Sequence, residues 1–378
     1  VDGEVQVADV YVGGAWKSVL FGVTGRGGKS MFAIDVTDPT SLGAGSVMWE
    51  FSDASMGNVL SKPTILRLNN GKWVVAVGNG YNSSGDKAQL LLVDIETGTL
   101  TKAIDTGVGG SNGLAGVGSL DNNFDGNADY LYAGDILGNL WKFDASSSSS
   151  GSWKVGYSKS PLFSAVNASG QIQPITATPT LGIHPGTFEP WVFFGTGKYI
   201  SSGDPSTTQV QSWYGLRDVA TISGRSKLVE RKIVAEGSDA LGPYRLMSRQ
   251  GDTVGGESLL DSTGKFVKSG WYVDLKSRGT TGTGERMFSA NWWVDGLLFG
   301  SSLIPSGDAC SSGATGWVMA MDPWSGGRPE ENVFDNSKDG KLDASDLNTV
   351  GDPTAFGGNS AIGRNGWQIG NGTQLYGQ

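Results

Sequence analysis

The strongest constraint on the fold is a recurring unit: a short apolar strand, a glycine-rich turn, a second apolar strand and an aspartate turn. The second strand of each unit reads Met31-Phe32-Ala33-Ile34-Asp35, Leu91-Leu92-Val93-Asp94, Leu140-Trp141-Lys142-Phe143-Asp144, Trp213-Tyr214-Gly215-Leu216-Arg217-Asp218 and Val318-Met319-Ala320-Met321-Asp322. The aspartates are spaced by 59, 50, 74 and 104 residues, and the last gap reads as two periods. Glycines taken to end the preceding strands, Gly25, Gly80, Gly134, Gly197 and Gly300, step by 55, 54, 63 and 103 residues. Two turns agree in detail, Gly78-Asn79-Gly80-Tyr81 leading to Ser83-Ser84-Gly85-Asp86, and Gly195-Thr196-Gly197-Lys198-Tyr199 leading to Ser201-Ser202-Gly203-Asp204.

A multi-strand unit repeated every 50–60 residues predicts an all-β chain folded as a β-propeller. The reason is burial: one small sheet has two apolar faces, and only neighbouring sheets cover both. Outer strands are expected at Val47–Phe51 and Trp271–Leu275. Five units are clear and residues 219–270 read as a degenerate blade or an insertion, so six or seven blades are expected, seven preferred, with residues 1–378 as a single domain. Ser146–Ser152 reads as a flexible surface loop, and the Gly- and Asn-rich tail 351–378 as the source of a ring-closing strand.

Sixty glycines and 13 prolines fit a turn-rich chain, while 13 Trp, 10 Tyr and 14 Phe supply enough apolar surface to exclude disorder. A net charge of -9 opposes nucleic-acid binding, which needs clustered Lys and Arg, and favours a cation as partner. With one cysteine, Cys310, neither an internal disulfide nor a cysteine-based metal cluster can form. Apolar runs such as Trp73–Val77 and Leu90–Val93 are far shorter than the ~20 residues of a membrane-spanning helix. The start at Val1, without Met or signal pattern, leads us to expect a processed product or an excerpt of a longer chain.

The sharpest chemical signal is Asp335-Asn336-Ser337-Lys338-Asp339-Gly340-Lys341-Leu342-Asp343-Ala344-Ser345-Asp346. It fits a twelve-residue calcium loop: side-chain oxygens of Asp335, Ser337 and Asp339 at positions 1, 3 and 5, Gly340 at the sharp turn, the Lys341 carbonyl at 7, and Asp343 and Asp346 at 9 and 12. A hard cation takes six to eight oxygens, and alternate residues of a tight turn aim inward. The second candidate, Asp121-Asn122-Asn123-Phe124-Asp125-Gly126-Asn127-Ala128-Asp129, offers side chains of Asp121, Asn123, Asp125 and Asp129 and the Asn127 carbonyl. Its position 12 is Tyr132, so it is read as a hairpin loop entering the strand Tyr130–Ala133. With four carboxylates against three, the later loop is expected to bind calcium more tightly. The competing reading of both is a solvated Asx turn.

Other signals carry less. Val23-Thr24-Gly25-Arg26-Gly27-Gly28-Lys29-Ser30 approaches a phosphate-binding loop, but Val23 replaces the first glycine and the repeat predicts a strand, not a helix, after it. The one histidine, His184, lies in a Gly/Pro turn with no nucleophile signature nearby, which suggests a surface or packing role. Glu330-Glu331 is not set against a facing carboxylate. Of Trp292-Trp293, on opposite faces of a strand, at least one is expected in the core.

The run Asp121-x-Asn123-x-Asp125-Gly126-x-x-Asp129-x-x-Tyr132-Ala133-Gly134-Asp135-x-x-Gly138-Asn139-x-Trp141-Lys142-Phe143-Asp144 resembles the C-terminal propeller domain of the PilY/PilC family of type IV pilus tip adhesins. Similar patterns occur at Gly78–Tyr81, at Pro305-Ser306-Gly307-Asp308-Ala309-Cys310 with Gly316-Trp317, and at Asp322-Pro323-Trp324-Ser325-Gly326-Gly327-Arg328. The resemblance implies a non-enzymatic, calcium-regulated protein, extracellular at the pilus tip or outer-membrane surface, that supports pilus extension against retraction, adhesion and twitching motility. It implies minor or major pilins as partners, with an unspecified host or abiotic surface ligand, and maps the family's regulatory calcium loop onto Asp121, Asn123, Asp125, Asn127 and Asp129. In full-length members an N-terminal half, often with a von Willebrand A-like domain, precedes the propeller. Two rival readings stand beside it. A pyrroloquinoline-quinone dehydrogenase shares the turn Asp94-Ile95-Glu96-Thr97-Gly98, although one cysteine cannot form the vicinal disulfide of those enzymes. A lectin-like sugar-binding module is also compatible with adhesion.

Overall fold

The computed structural model describes residues 2–277, 279–306, 314–335, 337–348, 362–363 and 366–370. Cys310, most of the Pro305–Cys310 motif and most of the tail lie outside the described residues. The chain forms two compact units, Val1–Ala165 with Pro174–Leu181, and Val166–Gln173 with Gly182–Gln378.

The first unit contains two four-stranded antiparallel sheets with neighbours in chain order. They are β1 (Val5–Val12), β2 (Ala15–Val23), β3 (Met31–Asp35) and β4 (Val47–Phe51), then β5 (Thr64–Arg67), β6 (Trp73–Gly78), β7 (Lys87–Asp94) and β8 (Leu100–Gly109). A third sheet joins β9 (Leu114–Leu120), β10 (Tyr130–Asp135), β11 (Asn139–Asp144) and β12 (Lys154–Val155), with β13 (Phe163–Ser164) also on β11. The aspartate-ended strands of these sheets, β3, β7 and β11, are thus each third in chain order within their sheet, and Val47–Phe51 is an outer strand as expected.

The continuous run Leu90-Leu91-Leu92-Val93 explains how these sheets associate. Alternate residues of a strand point to opposite faces, so an unbroken apolar run demands cover on both. Leu90 and Leu92 join Val74, Ala76, Leu131, Ala133, Trp141 and Phe143 in one core. Leu91 and Val93 join Val75, Val77, Val19, Phe21, Met31 and Ala33 in another. The middle sheet is therefore buried on both faces, and each such aliphatic side chain contributes about 1.5–3 kcal/mol.

Close stacking needs bare backbone at selected points. Gly78 ends β6 where a Cβ would stand 1.9 Å from the Ala115 carbonyl oxygen of β9. Here the sequence reading is corrected. Gly25, Gly80 and Gly197 do have positive φ (62°, 72° and 124°) and make turns, but Gly134 and Gly300 lie inside strands. A Cβ on Gly134 would meet Ile175 at 2.1 Å, and one on Gly300 would meet Met287 at 2.5 Å, so close approach rather than turning requires glycine there.

The chain passes into the second unit within β14 (Thr180–Ile183), and that unit contains β15 (Pro190–Gly195), β16 (Ser212–Arg217), β17 (Val229–Asp239), β18 (Gly242–Met247), β19 (Gly270–Ser277), β20 (Trp292–Val294), β21 (Leu297–Ser301) and β22 (Thr315–Met321). With Gly366–Gly370 they form one sheet in the order β14-β15-β16-β19-β17-β18-(366–370)-β22-β21-β20. Residues 219–270, read as a degenerate blade or insertion, supply the β17–β18 hairpin. β17 pairs in parallel with β19, so Trp271–Leu275 is not a free outer edge. The tail does supply a strand, Gly366–Gly370, antiparallel to β22. The core of this unit is aromatic: Trp191, Phe193, Trp213, Trp271 and Trp317 are all buried.

Gly78→Ala is expected to cost about 1–3 kcal/mol through overpacking. Gly85→Ala, where a Cβ meets nothing within 4 Å, should stay within about 0.5 kcal/mol of wild type. Chemical denaturation midpoints of the two variants check the contrast, and equal midpoints would refute the close-approach account.

Candidate metal centres

Loop 1, residues 121–129, is the tip of the antiparallel β9–β10 hairpin, with Leu120 opposite Tyr130. Two left-handed residues set its course, Phe124 (φ 62°) and Gly126 (φ 86°). The turn directs main-chain N–H groups onto its own acids. Asp121 accepts from Asp125 N at 3.2 Å through Oδ1 and from Gly126 N at 2.7 Å through Oδ2. Asn123 Oδ1 accepts from Asp125 N at 3.0 Å, and Asp125 Oδ1 from Asn127 N at 2.8 Å. Asp129 closes the loop: 5% exposed, it accepts from Asn122 N at 3.0 Å and from Asn69 Nδ2 at 3.0 Å.

Loop 2, residues 335–346, repeats this scheme. Lys338 (φ 61°) and Gly340 (φ 80°) occupy the positions of Phe124 and Gly126. Asp335 accepts from Asp339 N at 3.2 Å and Gly340 N at 2.9 Å, and Asp339 Oδ1 from Lys341 N at 2.9 Å. Ser337 Oγ donates to Asp335 at 3.3 Å. The closing carboxylate is Asp346, 1% exposed, which accepts from Ser337 N at 2.9 Å and Asp343 N at 3.1 Å. Asp343 turns its Oδ1 to the N–H and hydroxyl of Ser345, each at 2.8 Å, and these bonds lower its pKa. Asn336 lies outside the described residues.

Among the described residues, no three His, Cys, Asp or Glu side chains are gathered so as to hold a metal by themselves. In both loops the acids are instead drawn onto backbone donors. Each bonded carboxylate oxygen keeps a further lone pair, and calcium also draws on amide and main-chain oxygens. One feature of loop 1 fits such an ion. The Asn127 side-chain oxygen is buried and accepts no hydrogen bond from the described residues, whereas buried acceptors are ordinarily satisfied.

Two polar groups important here are not visible as site residues in the sequence. Asn69, sixty residues before Asp129, tethers that carboxylate together with the carbonyls of Ala128 at 3.3 Å and Ala145 at 3.4 Å. Asp135, fully buried, accepts from Asn112 Nδ2 at 3.0 Å, Asn139 N at 2.8 Å and Trp141 Nε1 at 2.9 Å. The Asp135–Trp141 part of the run that resembles the pilus family is thus a structural knot beneath the hairpin.

The remaining candidates resolve into packing. The N–H groups of Arg26 and Gly27 already bind Asp2 Oδ1, at 2.8 and 3.2 Å, and strand β3 follows. Trp292 and Trp293 are 39% and 37% exposed, so neither is a core residue as expected. A three-residue strand buries too little of either ring, and each leans on a neighbour, Trp292 on Phe299 and Trp293 on Trp324.

His184 Nδ1 accepts from the N–H groups of Gly186 and Thr187, each at 3.1 Å, and its ring packs against Trp191, Phe266 and Trp324. Burial lowers its pKa, with Arg217 adding to the effect and Glu189 and Asp322 opposing it. The unfolded chain therefore takes up this proton first. The neutral imidazole stabilises the fold above the ordinary value of about 6.5, and that contribution declines as pH falls through and below it. Melting temperature measured from pH 7.5 to 5 should fall less steeply in His184→Gln than in wild type, and parallel slopes would remove His184 from the account.

The chain matches a family model described as the PilY1 beta-propeller domain over residues 1–235. It is 37% identical over 375 residues to the type IV pilus biogenesis factor PilY1 of Pseudomonas aeruginosa PAO1, covering 91% of this chain and 32% of that protein. It is 39% identical over 341 residues to a PilY1 homolog of Xylella fastidiosa, covering 89% and 26%. The chain thus spans about a third or less of the length of these relatives. The crystal structure of the P. aeruginosa PilY1 C-terminal domain matches 98% of this chain and 78% of that one, with a TM-score of 0.84 and 33% identity. The all-β fold seen here is accordingly a β-propeller, and the chain belongs to the PilY1 β-propeller domain family.

Proposed function

We propose that this domain is a non-enzymatic, calcium-binding component of type IV pilus biogenesis, extracellular at the pilus tip or outer-membrane surface. It engages minor or major pilins and supports extension against retraction, adhesion and twitching. Its relatives bear the name of pilus biogenesis factors. The observation that supports the calcium assignment best is the geometry common to both loops: left-handed residues at positions 4 and 6, with the carboxylates of positions 1 and 5 drawn in by the same main-chain N–H groups.

Asp121, Asn123, Asp125 and Asp129 would hold the ion in loop 1 with the Asn127 carbonyl. Asp335, Ser337, Asp339, Asp343 and Asp346 would do so in loop 2 with the Lys341 carbonyl. A bound divalent ion supplies positive charge that lets neighbouring carboxylates converge. The chain's own part is to hold that arrangement: Asp129 and Asp346 are anchored in the interior, while Asp125 and Asp339 stand exposed at the tips. Fixing loop 1 fixes the outer end of the β9–β10 hairpin and with it the exposed Phe124, 74% accessible, as a contact for a pilin.

A site with a dissociation constant near 10 µM in millimolar calcium adds about 2.7 kcal/mol to stability. The melting temperature should therefore be higher in calcium than in chelator. Asp125→Ala and Asp339→Ala should each reduce the difference and the calcium retained on elemental analysis, and Asp125→Ala should remove the calcium dependence of piliation. Identical melting curves with no retained calcium would overturn the metal assignment, and calcium-dependent piliation surviving in Asp125→Ala would overturn the switch.

A further inference from the structure

The second unit contains a cleft of about 570 Å³ that neither calcium loop needs for its own geometry. Val294, Leu297, Phe299, Val333 and Leu342 supply its apolar surface. Val294 and Leu342 are 42% and 57% exposed, so both offer aliphatic surface at a concave site. The volume lies within the range of ligand-binding pockets.

The polar lining is lopsided. Asp295, Asp322, Glu330 and Glu331 face two arginines, Arg249 and Arg328. Both guanidiniums are engaged internally: Arg328 with Asp252 and the Met247 carbonyl, Arg249 with Asp252 at 3.9 Å and Glu330 at 3.8 Å. Asp295 and Glu331 are exposed and enter no ion pair among the described residues. A third feature is backbone. β20, whose Val294 lines the cleft, stands at the end of the sheet order and, among the described residues, pairs only with β21. A terminal strand presents unpaired N–H and C=O groups to an extended chain.

We infer that this cleft docks an extended segment of a partner protein in which apolar residues alternate with lysine or arginine. Apolar side chains would cover Val294, Phe299 and Leu342. The intervening cations would meet Asp295 and Glu331, and the main chain would run along β20. Complementary charge at such a rim chiefly sets specificity and salt dependence.

The test uses the whole domain and two short fluorescein-labelled peptides, one alternating leucine with lysine and one alternating leucine with glutamate, followed by fluorescence anisotropy. The inference stands apart from the calcium assignment. Because Leu342 belongs to loop 2, titrations are run both in calcium and in chelator, and preference for the lysine peptide in either supports docking. Asp295 has φ 48°, a conformation asparagine tolerates, so the rim variant is Asp295→Asn with Glu331→Lys. It should lose at least about tenfold in affinity for the lysine peptide while keeping its melting temperature. Val294→Gln should weaken binding without changing peptide preference. Equal binding of the two peptides in both conditions, or wild-type affinity in the rim variant, would overturn the inference.

Discussion

Everything in the first unit depends on how closely one twisted sheet can approach the next. A strand such as Leu90–Val93 has apolar side chains on both faces and cannot be stable unless both are covered. That cover requires main chains to meet where side chains would keep them apart. Gly78 opens β6 to the Ala115 carbonyl, and Gly134 opens β10 to Ile175. In the second unit Gly195 does the same for Met287, where a Cβ would fall 2.1 Å from the methionine Cβ. A high glycine content, often a sign of looseness, here sets the packing distance of dense cores.

The repeated aspartate serves a second requirement, the rigid closure of each third strand. Asp35, Asp94, Asp144 and Asp322 each turn a carboxylate oxygen to N–H groups two or three residues on. The Thr37 hydroxyl and Lys17 hold the Asp35 pKa down at about 2, so that turn survives well below neutral pH. The two longer turns also receive an indole. Trp49 Nε1 donates to the Ile95 carbonyl and its ring lies over Gly98, while Trp271 Nε1 donates to the Pro323 carbonyl and its ring lies over Gly326, both bonds 2.7 Å. This equivalence accounts for Asp94-Ile95-Glu96-Thr97-Gly98, the sequence shared with quinoprotein propellers. In this chain the turn is a docking point for tryptophan.

Local chemistry was legible in the sequence and distant pairing was not. Unbroken apolar runs marked strands covered on both faces, and Asp/Asn spacing around a glycine marked loops that both adopt left-handed turns at their fourth and sixth positions. Gly134 and Gly300 were assigned to turns because glycine answers two different needs, positive φ and lack of a Cβ, and a single letter cannot say which. The parallel pairing of β17 with β19, the placing of Gly366–Gly370 between β18 and β22, and the bond from Asn69 to Asp129 all join segments far apart along the chain. Their partners are chosen by the assembled sheets, and no local pattern encodes them. Trp292 and Trp293 failed the alternation rule for a related reason: a short strand at the end of a sheet lacks the neighbour that would bury one face.

The two loops show how one backbone solution tolerates different surroundings. Positions 4 and 6 are left-handed in both, and in both the carboxylate at position 1 accepts from the N–H groups of positions 5 and 6, and that at position 5 from position 7. They part at closure. In loop 1 the chain must enter β10 at Tyr130, so the closing acid comes at position 9, Asp129, and is steadied from outside by Asn69. In loop 2 the chain turns through Ala344–Asp346 instead, Asp343 caps that turn, and position 12, Asp346, closes the ring of donors from within. Loop 2 has four acids, one of which, Asp343, turns an oxygen to Ser345, whereas the three acids of loop 1 all accept from within the loop. Asp129 is therefore held by Asn122 of its own loop and by Asn69 of a distant segment, whereas Asp346 is held by Ser337 and Asp343 of its own loop, so loop 1 is tied to its surroundings and loop 2 to itself.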